Sequence, residues 1–117
     1  MSLQYADKPW TKSYDKGVPE TIDVPTHPVQ HFLEEGARRV PGNVALVFQG
    51  KEITYAELNK AADAVAAGLA ANGFKKGDRA VIYMPNLPQF VIIYYGILKA
   101  GGIVIAIALV RMLINAV

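Results

Sequence analysis

Cysteine is absent from this chain. Its absence excludes disulfides, thiolate metal sites and cysteine nucleophiles, and it fits a reducing cytoplasm. Serine is scarce as well: Ser2 and Ser13 are the only ones. Neither stands where a histidine and an acid could activate it around a strained strand-to-helix turn, so serine-based nucleophilic catalysis has no support. Charge of one sign is not in excess either. Twelve basic against ten acidic residues leave a net charge of +2, and no basic stripe is interleaved with aromatics, which removes the usual reason to expect nucleic acid or acidic substrates. Neither GxxxxGK[ST] nor GxGxxG occurs, so the two common phosphate-binding loops are missing. Residues 1–16 mix Asp7, Lys8, Lys12 and Asp15 with aromatics, unlike the apolar core of a signal peptide or an Arg-rich transit sequence. No internal repeat, linker or low-complexity segment interrupts the chain.

What the chain does have is apolar residues, 52% of 117, enough for one domain with a real core. The excess sits at the C-terminal end, where Lys99 and Arg111 are the only charges between Phe90 and Val117. A membrane span needs about 20 mostly apolar residues, and this run is long enough. Lys99 near its middle and the Gly101-Gly102 break favour buried core instead.

Residues 53–105 organise the rest. Thr54 followed by Glu57 predicts a capping box, in which the hydroxyl accepts from a first-turn amide and the carboxylate reaches back to the Thr54 amide. Ile53 and Leu58 flank it as a hydrophobic staple. Tyr55, Leu58, Ala62, Val65 and Leu69 recur at spacings of three and four, which lays an apolar stripe along a helix over 55–72 and turns Asn59, Lys60 and Asp63 the other way. Asn72-Gly73 ends it. After the Gly77-Asp78 turn, 80–84 form an apolar run too short for a helix, as expected of a strand covered on both faces. Pro85 stops that strand, Asn86 is placed to cap the next helix, and Pro88 sits in its first turn. A helix over 89–100, stopped by Gly101-Gly102, and a strand over 103–107 complete a strand, helix, strand succession, which predicts parallel strands joined by a right-handed crossover.

Upstream, residues 1–25 read as an extended arm packed by Trp10, Tyr14 and Ile22. Residues 26–117 read as a partial α/β subdomain. Thr26 is placed to cap a helix in which Val29, Phe32, Leu33, Ala37 and Val40 share a face, with Glu34, Glu35, Arg38 and Arg39 turned to water. Pro41-Gly42 ends that helix. Residues 44–49 and 51–53, around Gly50, read as a small hairpin.

Four groups invite chemistry, and each has a plainer reading. His27, His31 and Glu35 stand four apart on one helix, but zinc ligands usually converge from more than one element, and His27 adjoins Pro28. Glu34 and Glu35 are adjacent, hence about a quarter turn apart on a helix rather than paired. Gly101-Gly102 precedes a strand, whereas a phosphate loop follows a strand and opens a helix. Tyr94 and Tyr95, one turn after Phe90, are spaced as core residues rather than as a lipid pocket. No metal site is expected.

The run ITYAELNKAADAVAAGLAANGFKKGDRAVIYMPNLPQFVIIYYGILKAGG, residues 53–102, strongly resembles the opening of the AMP-forming acyl-CoA synthetase superfamily, the acid-thiol or adenylate-forming ligases. Trp10, Tyr14, Gly17-Val18-Pro19 and Ile22 look like the arm that precedes this region in long-chain fatty-acid CoA ligases. The resemblance implies the N-terminal portion of a large α/β domain: a small hairpin plus a parallel βαβ unit. It also implies that the full-length enzyme uses ATP, Mg and coenzyme A to turn a fatty acid into an acyl-adenylate and then an acyl-CoA. The family's Ser/Thr/Gly-rich loop ending in lysine, aromatic-Thr-Glu motif, ribose-binding aspartate and C-terminal-domain lysine have no counterpart here. No catalytic, cofactor-binding or metal residue is therefore carried onto this chain, which is expected to bind no cofactor and to be inactive alone.

Past Ile103 the resemblance fades. The family continues into an Asn-Pro or similar polar turn, whereas this chain reads AIALVRMLINAV over 106–117. The tail is thus a truncated or frame-shifted reading, a cloned fragment or a divergent end. Strands left bare by missing segments predict self-association or poor solubility. A rival reading is a small membrane-associated or interaction protein that docks through the apolar tail, so the expected location is cytoplasmic or peripheral to a membrane.

Overall fold

A computed structural model describes residues 8–108. Its elements alternate as the resemblance implies: α1 (Val29–Arg39), the antiparallel hairpin β1 (Val44–Phe48) and β2 (Lys51–Thr54), α2 (Tyr55–Ala71), β3 (Arg79–Met84), α3 (Pro88–Lys99) and β4 (Ile103–Ala108). A 3₁₀ turn at Pro9–Ser13 precedes them. The fold class is α/β, with two separate two-stranded sheets.

The hairpin closes through Gln49-Gly50, both with positive φ, 50° and 76°, between the paired residues Phe48 and Lys51. Two left-handed residues give the turn a twist that matches the strands it joins. β2 then passes directly into α2. Thr54 Oγ1 accepts from the Glu57 amide at 3.3 Å, and the Thr54 amide donates to Glu57 Oε2 at 2.8 Å, so the predicted capping box is formed in both directions.

Helices α2 and α3 end alike. The amides of Gly73 and Phe74 donate to Ala70 and Leu69, and those of Gly101 and Gly102 to Leu98 and Ile97. Both are Schellman closures with a left-handed glycine just past the end. The two turns are then stapled to each other: the Gly77 amide donates to the Gly101 carbonyl at 2.9 Å, and Ile103 to Asp78 at 2.8 Å. These bonds set β3 and β4 side by side, parallel, with Arg79 opposite Ile103 and Met84 opposite Ala108.

The core forms where α1, α2 and the hairpin meet. Leu33, Leu58 and Ala62 are buried, and Ile53, Tyr55, Val91 and Tyr95 pack around them. Helices approach closely at two glycines. A Cβ on Gly36 of α1 would lie 2.7 Å from the Tyr55 ring, and one on Gly96 of α3 would lie 2.5 Å from Val65 of α2. Of the predicted α1 face, only Leu33 is buried, while Val29, Phe32 and Val40 remain exposed.

Several expectations are corrected. Thr26 does not cap α1; the N-cap is Pro28, whose ring carries no hydrogen-bond acceptor. Asn86 does not cap α3 either, because Pro88 opens the helix and places the N-cap at Leu87. The arm leaves Ile22 77% exposed, so Ile22 packs nothing down. Strand β3 is covered on one face only: Ile82 is 2% exposed, whereas Val81 and Tyr83 on the other face are 59% and 65% exposed. No helix among the described residues is long and apolar enough to cross a membrane. The apolar tail beyond Ala108, through which the rival reading docks to a membrane, lies outside the described residues.

Candidate functional site

The most developed polar constellation joins three helices at Lys99. Its Nζ lies 2.6 Å from Asp63 Oδ1 and 2.8 Å from Asn59 Oδ1 on α2, and 3.3 Å from Glu34 Oε1 on α1. The Lys99 side chain is only 9% exposed, against 56% for Asp63 and 48% for Glu34. An ammonium so far out of water needs its charge and protons met: Asp63 and Asn59 accept hydrogen bonds from it, and Glu34 adds an ion pair. Asn59, Asp63 and Glu34, expected to face solvent, are therefore ligands of a largely buried cation. The cluster clamps α3 to α1 and α2. With its ammonium held by these three side chains, it is a structural lock rather than a reactive centre.

Two clefts lie between the hairpin and the start of α3. One, of about 360 Å³, is walled by Leu46, Val47 and Phe48 of β1 and by Leu87, Pro88, Phe90 and Val91. The other, of about 460 Å³, lies beyond Phe48, Leu87 and Pro88 and adds Lys51, Glu52 and Ile92. Phe90 stacks on Tyr94 with ring centroids 6.4 Å apart, and Tyr94 meets Tyr95 edge to face at 5.7 Å. Tyr95 belongs to the core, as its spacing predicts. Burial raises its phenol above the ordinary 10.0, with smaller contributions from Tyr94 and Tyr55. A phenol held protonated there is a packing group, not a base.

The remaining candidates are placed as follows. His27 and His31 lie ring against ring at 4.3 Å, tilted by 32°, while Glu35 is turned to Arg38, with bonds of 2.7 and 2.9 Å. The hydrogen bond to Arg38 holds the Glu35 carboxyl below its ordinary range. The three do not converge, and no group of three or more metal-ligating side chains occurs among the described residues. Gly101 and Gly102 donate their amides to their own helix, and a side chain on Gly102 would strike Phe74 at 2.6 Å. They are a helix stop and a packing point, not an anion cradle. Ser13 lies in the N-terminal 3₁₀ turn, and Ser2 lies outside the described residues.

A further exposed feature among the described residues is apolar. In the β3–β4 register Arg79, Val81 and Tyr83 pair with Ile103, Ile105 and Ile107, and the five apolar members are all exposed. Helix α3 packs against the same two strands, while Ile82, which alternates with Val81 and Tyr83, is buried.

Comparison with known proteins agrees with this architecture. Residues 33–109 match the family described as AMP-binding enzyme. The long-chain-fatty-acid–CoA ligase of Bacillus subtilis (strain 168) is 41% identical over 100 residues, which is 86% of this chain and 18% of that enzyme. Triostin synthetase I of Streptomyces triostinicus is 41% identical over 76 residues, 65% of this chain and 14% of the relative. Among solved structures, the N-terminal subdomain of Klebsiella oxytoca NpsA superposes with a TM-score of 0.65 at 32% identity, over 68% of this chain and 21% of that one. The chain thus spans less than a fifth of the length of these curated relatives.

Proposed function

This chain belongs to the AMP-binding enzyme family, and on that premise we propose that it is the N-terminal scaffold portion of an ATP-dependent long-chain fatty-acid CoA ligase. In that reading the whole enzyme makes a carboxylate electrophilic. A carboxylate oxygen attacks the α-phosphorus of Mg-bound ATP, pyrophosphate leaves, and the thiol of coenzyme A then displaces AMP from the acyl carbon. Each step develops negative charge on a leaving group that preorganised donors must stabilise. The amides of Gly73, Gly101 and Gly102 are spent on helix ends, and Lys99 is held by Asp63, Asn59 and Glu34. No step is assigned to residues 8–108. Their part is to hold α2, α3 and the parallel strands rigidly as one wall of the domain.

The observation that carries the fatty-acid assignment is the extent of the match. With 100 of 117 residues aligned, the match to the Bacillus subtilis ligase reaches upstream of α1 into the segment that holds Val18-Pro19. The 76 residues shared with triostin synthetase I are a shorter stretch. The test is a hybrid in which residues 8–108 replace the matching residues of the Bacillus subtilis enzyme, assayed by palmitate-dependent ATP–pyrophosphate exchange. Exchange within about tenfold of the parent supports the reading. A soluble, folded hybrid with no acid-dependent exchange overturns it.

A further inference from the structure

We propose that His27 and His31 form a two-histidine site for a divalent transition-metal ion, nickel(II) or copper(II), that clips together the start of α1. The two rings lie with centroids 4.3 Å apart, and they are the only histidines of a chain without cysteine. Neither ring takes part in a hydrogen bond among the described residues, so the nitrogens are available, and imidazole suits both ions. The backbone fixes where the rings stand. Pro28 keeps His27 out of the helical region, and the His31 amide donates to the Pro28 carbonyl at 3.0 Å, closing the first turn. No side chain caps this helix, so its start lacks the tie that Thr54 and Glu57 give α2.

The separation selects the ion. A metal–nitrogen bond of about 2.0–2.1 Å puts the centre of an imidazole roughly 3.2 Å from the metal. Two rings at a right angle about one ion then have centres roughly 4.5 Å apart, and two at the tetrahedral angle roughly 5.2 Å. The observed 4.3 Å matches neighbouring positions on a tetragonal ion, the preference of copper(II) and nickel(II), and is short for tetrahedral zinc. The rings are tilted by 32° and turn to bring one nitrogen of each to a common point. That rotation about χ2 is soft for histidine, and it leaves the ring centre in place because the Cβ–Cγ bond points through it. Water completes the coordination, since Glu35, one turn on, has both carboxylate oxygens on Arg38. The positive end of the helix works against a cation, so the ion is exchangeable.

The test is calorimetric titration of the full chain, without a histidine tag, with nickel, copper and zinc chlorides in a non-coordinating buffer, joined by electron paramagnetic resonance of the copper complex. The expected result is one ion per chain, hyperfine coupling to two imidazole nitrogens, and nickel bound more tightly than zinc by about threefold or more. His27→Ala and His31→Ala are each expected to weaken nickel binding by about tenfold or more. Glu35→Gln leaves it within about threefold, because that carboxylate is held by Arg38. Nickel also raises the thermal unfolding midpoint of the parent chain and not that of either alanine variant, as a ligand of the folded state does. Far-UV circular dichroism matching the parent establishes that each variant is folded, and the copper spectrum of the parent decides the ligand count without any variant. Binding that survives either alanine substitution, an equal loss with Glu35→Gln, zinc bound more tightly than nickel, or coupling to fewer than two imidazole nitrogens overturns the proposal.

Discussion

Lys99 at the end of α3 and Asp63 in the middle of α2 stand 36 residues apart in sequence, yet their charged atoms lie 2.6 Å apart. The pair is asymmetric. Lys99 is largely withdrawn from water, whereas Asp63 remains more than half exposed. Removing the lysine returns its acceptors to solvent at little cost, but removing the acceptors strands a cation. Lys99→Met is therefore expected to change the unfolding free energy by no more than about 1 kcal/mol, whereas Asn59→Ala combined with Asp63→Ala lowers it by about 2–3 kcal/mol. Urea titrations of the three proteins check this order.

Gly96 allows α3 to lie directly on α2. An added methyl group would meet Val65 at 2.5 Å and the Ala62 carbonyl oxygen at 3.2 Å. Val65 Cβ, at 2.6 Å, is fixed to the backbone and moves no more with a change of rotamer than the carbonyl oxygen does. Gly96→Ala is thus expected to destabilise by about 1–3 kcal/mol despite its better helix propensity. Gly68, on α2 with open space around its Cβ position, is the control. Gly68→Ala is expected to stabilise by about 0.5–1 kcal/mol, and thermal unfolding distinguishes the two.

The contrast between these sites shows where the sequence is legible. The capping box could be read because its partners, Thr54 and Glu57, are three residues apart and the motif acts before any tertiary contact forms. The α2 and α3 stops were equally local, set by Gly73 and Gly101. The Lys99 cluster was invisible because its oxygens come from helices far back along the chain, and a lone lysine in an apolar run carries no sign of its partners. Pattern also misleads where it describes a different context. Residues 80–84 are apolar throughout, as befits a strand buried on both faces, and the described residues supply a cover for only one of them. The Asn86 cap failed because the residue before a proline is kept out of the helical region: Leu87, at φ −123° and ψ 160°, becomes the N-cap and leaves Asn86 one residue outside the helix.

The hairpin turn holds a small reserve of stability. Gln49 adopts φ of 50°, a left-handed conformation that costs an ordinary residue roughly 1 kcal/mol and that asparagine tolerates better. Gln49→Asn is expected to raise stability by about 0.5 kcal/mol. A higher urea midpoint with an unchanged slope is the expected readout.

Glu57 couples the start of α2 to pH. Its bond from the Thr54 amide, then that from the Thr54 hydroxyl, holds the carboxyl below its ordinary 4.5. The unfolded chain therefore binds a proton more readily than the folded one. The stabilisation is fully present above pH 4.5 and is lost as pH falls through the lower folded value. Glutamine at this position still caps but does not titrate. Glu57→Gln is expected to keep most of the stability at pH 7 and to lose less of it on acidification. Denaturation midpoints at pH 7 and pH 3 test the difference, and parallel losses in both proteins count against the assignment.

The chain alone is expected to release no pyrophosphate from ATP in the presence of a fatty acid. The argument is one of donors. Stabilising a departing pyrophosphate takes several free amides or cations aimed at one point. The candidate amides are already bonded: Gly101 and Gly102 to Leu98 and Ile97, and Gly77 to Gly101. The buried cation Lys99 is enclosed by Asp63, Asn59 and Glu34. A coupled pyrophosphate assay with palmitate, ATP and Mg should read the same for the native chain and a boiled control. Release above that control means that a phosphate site has been assembled from residues now engaged elsewhere, and the scaffold assignment then fails.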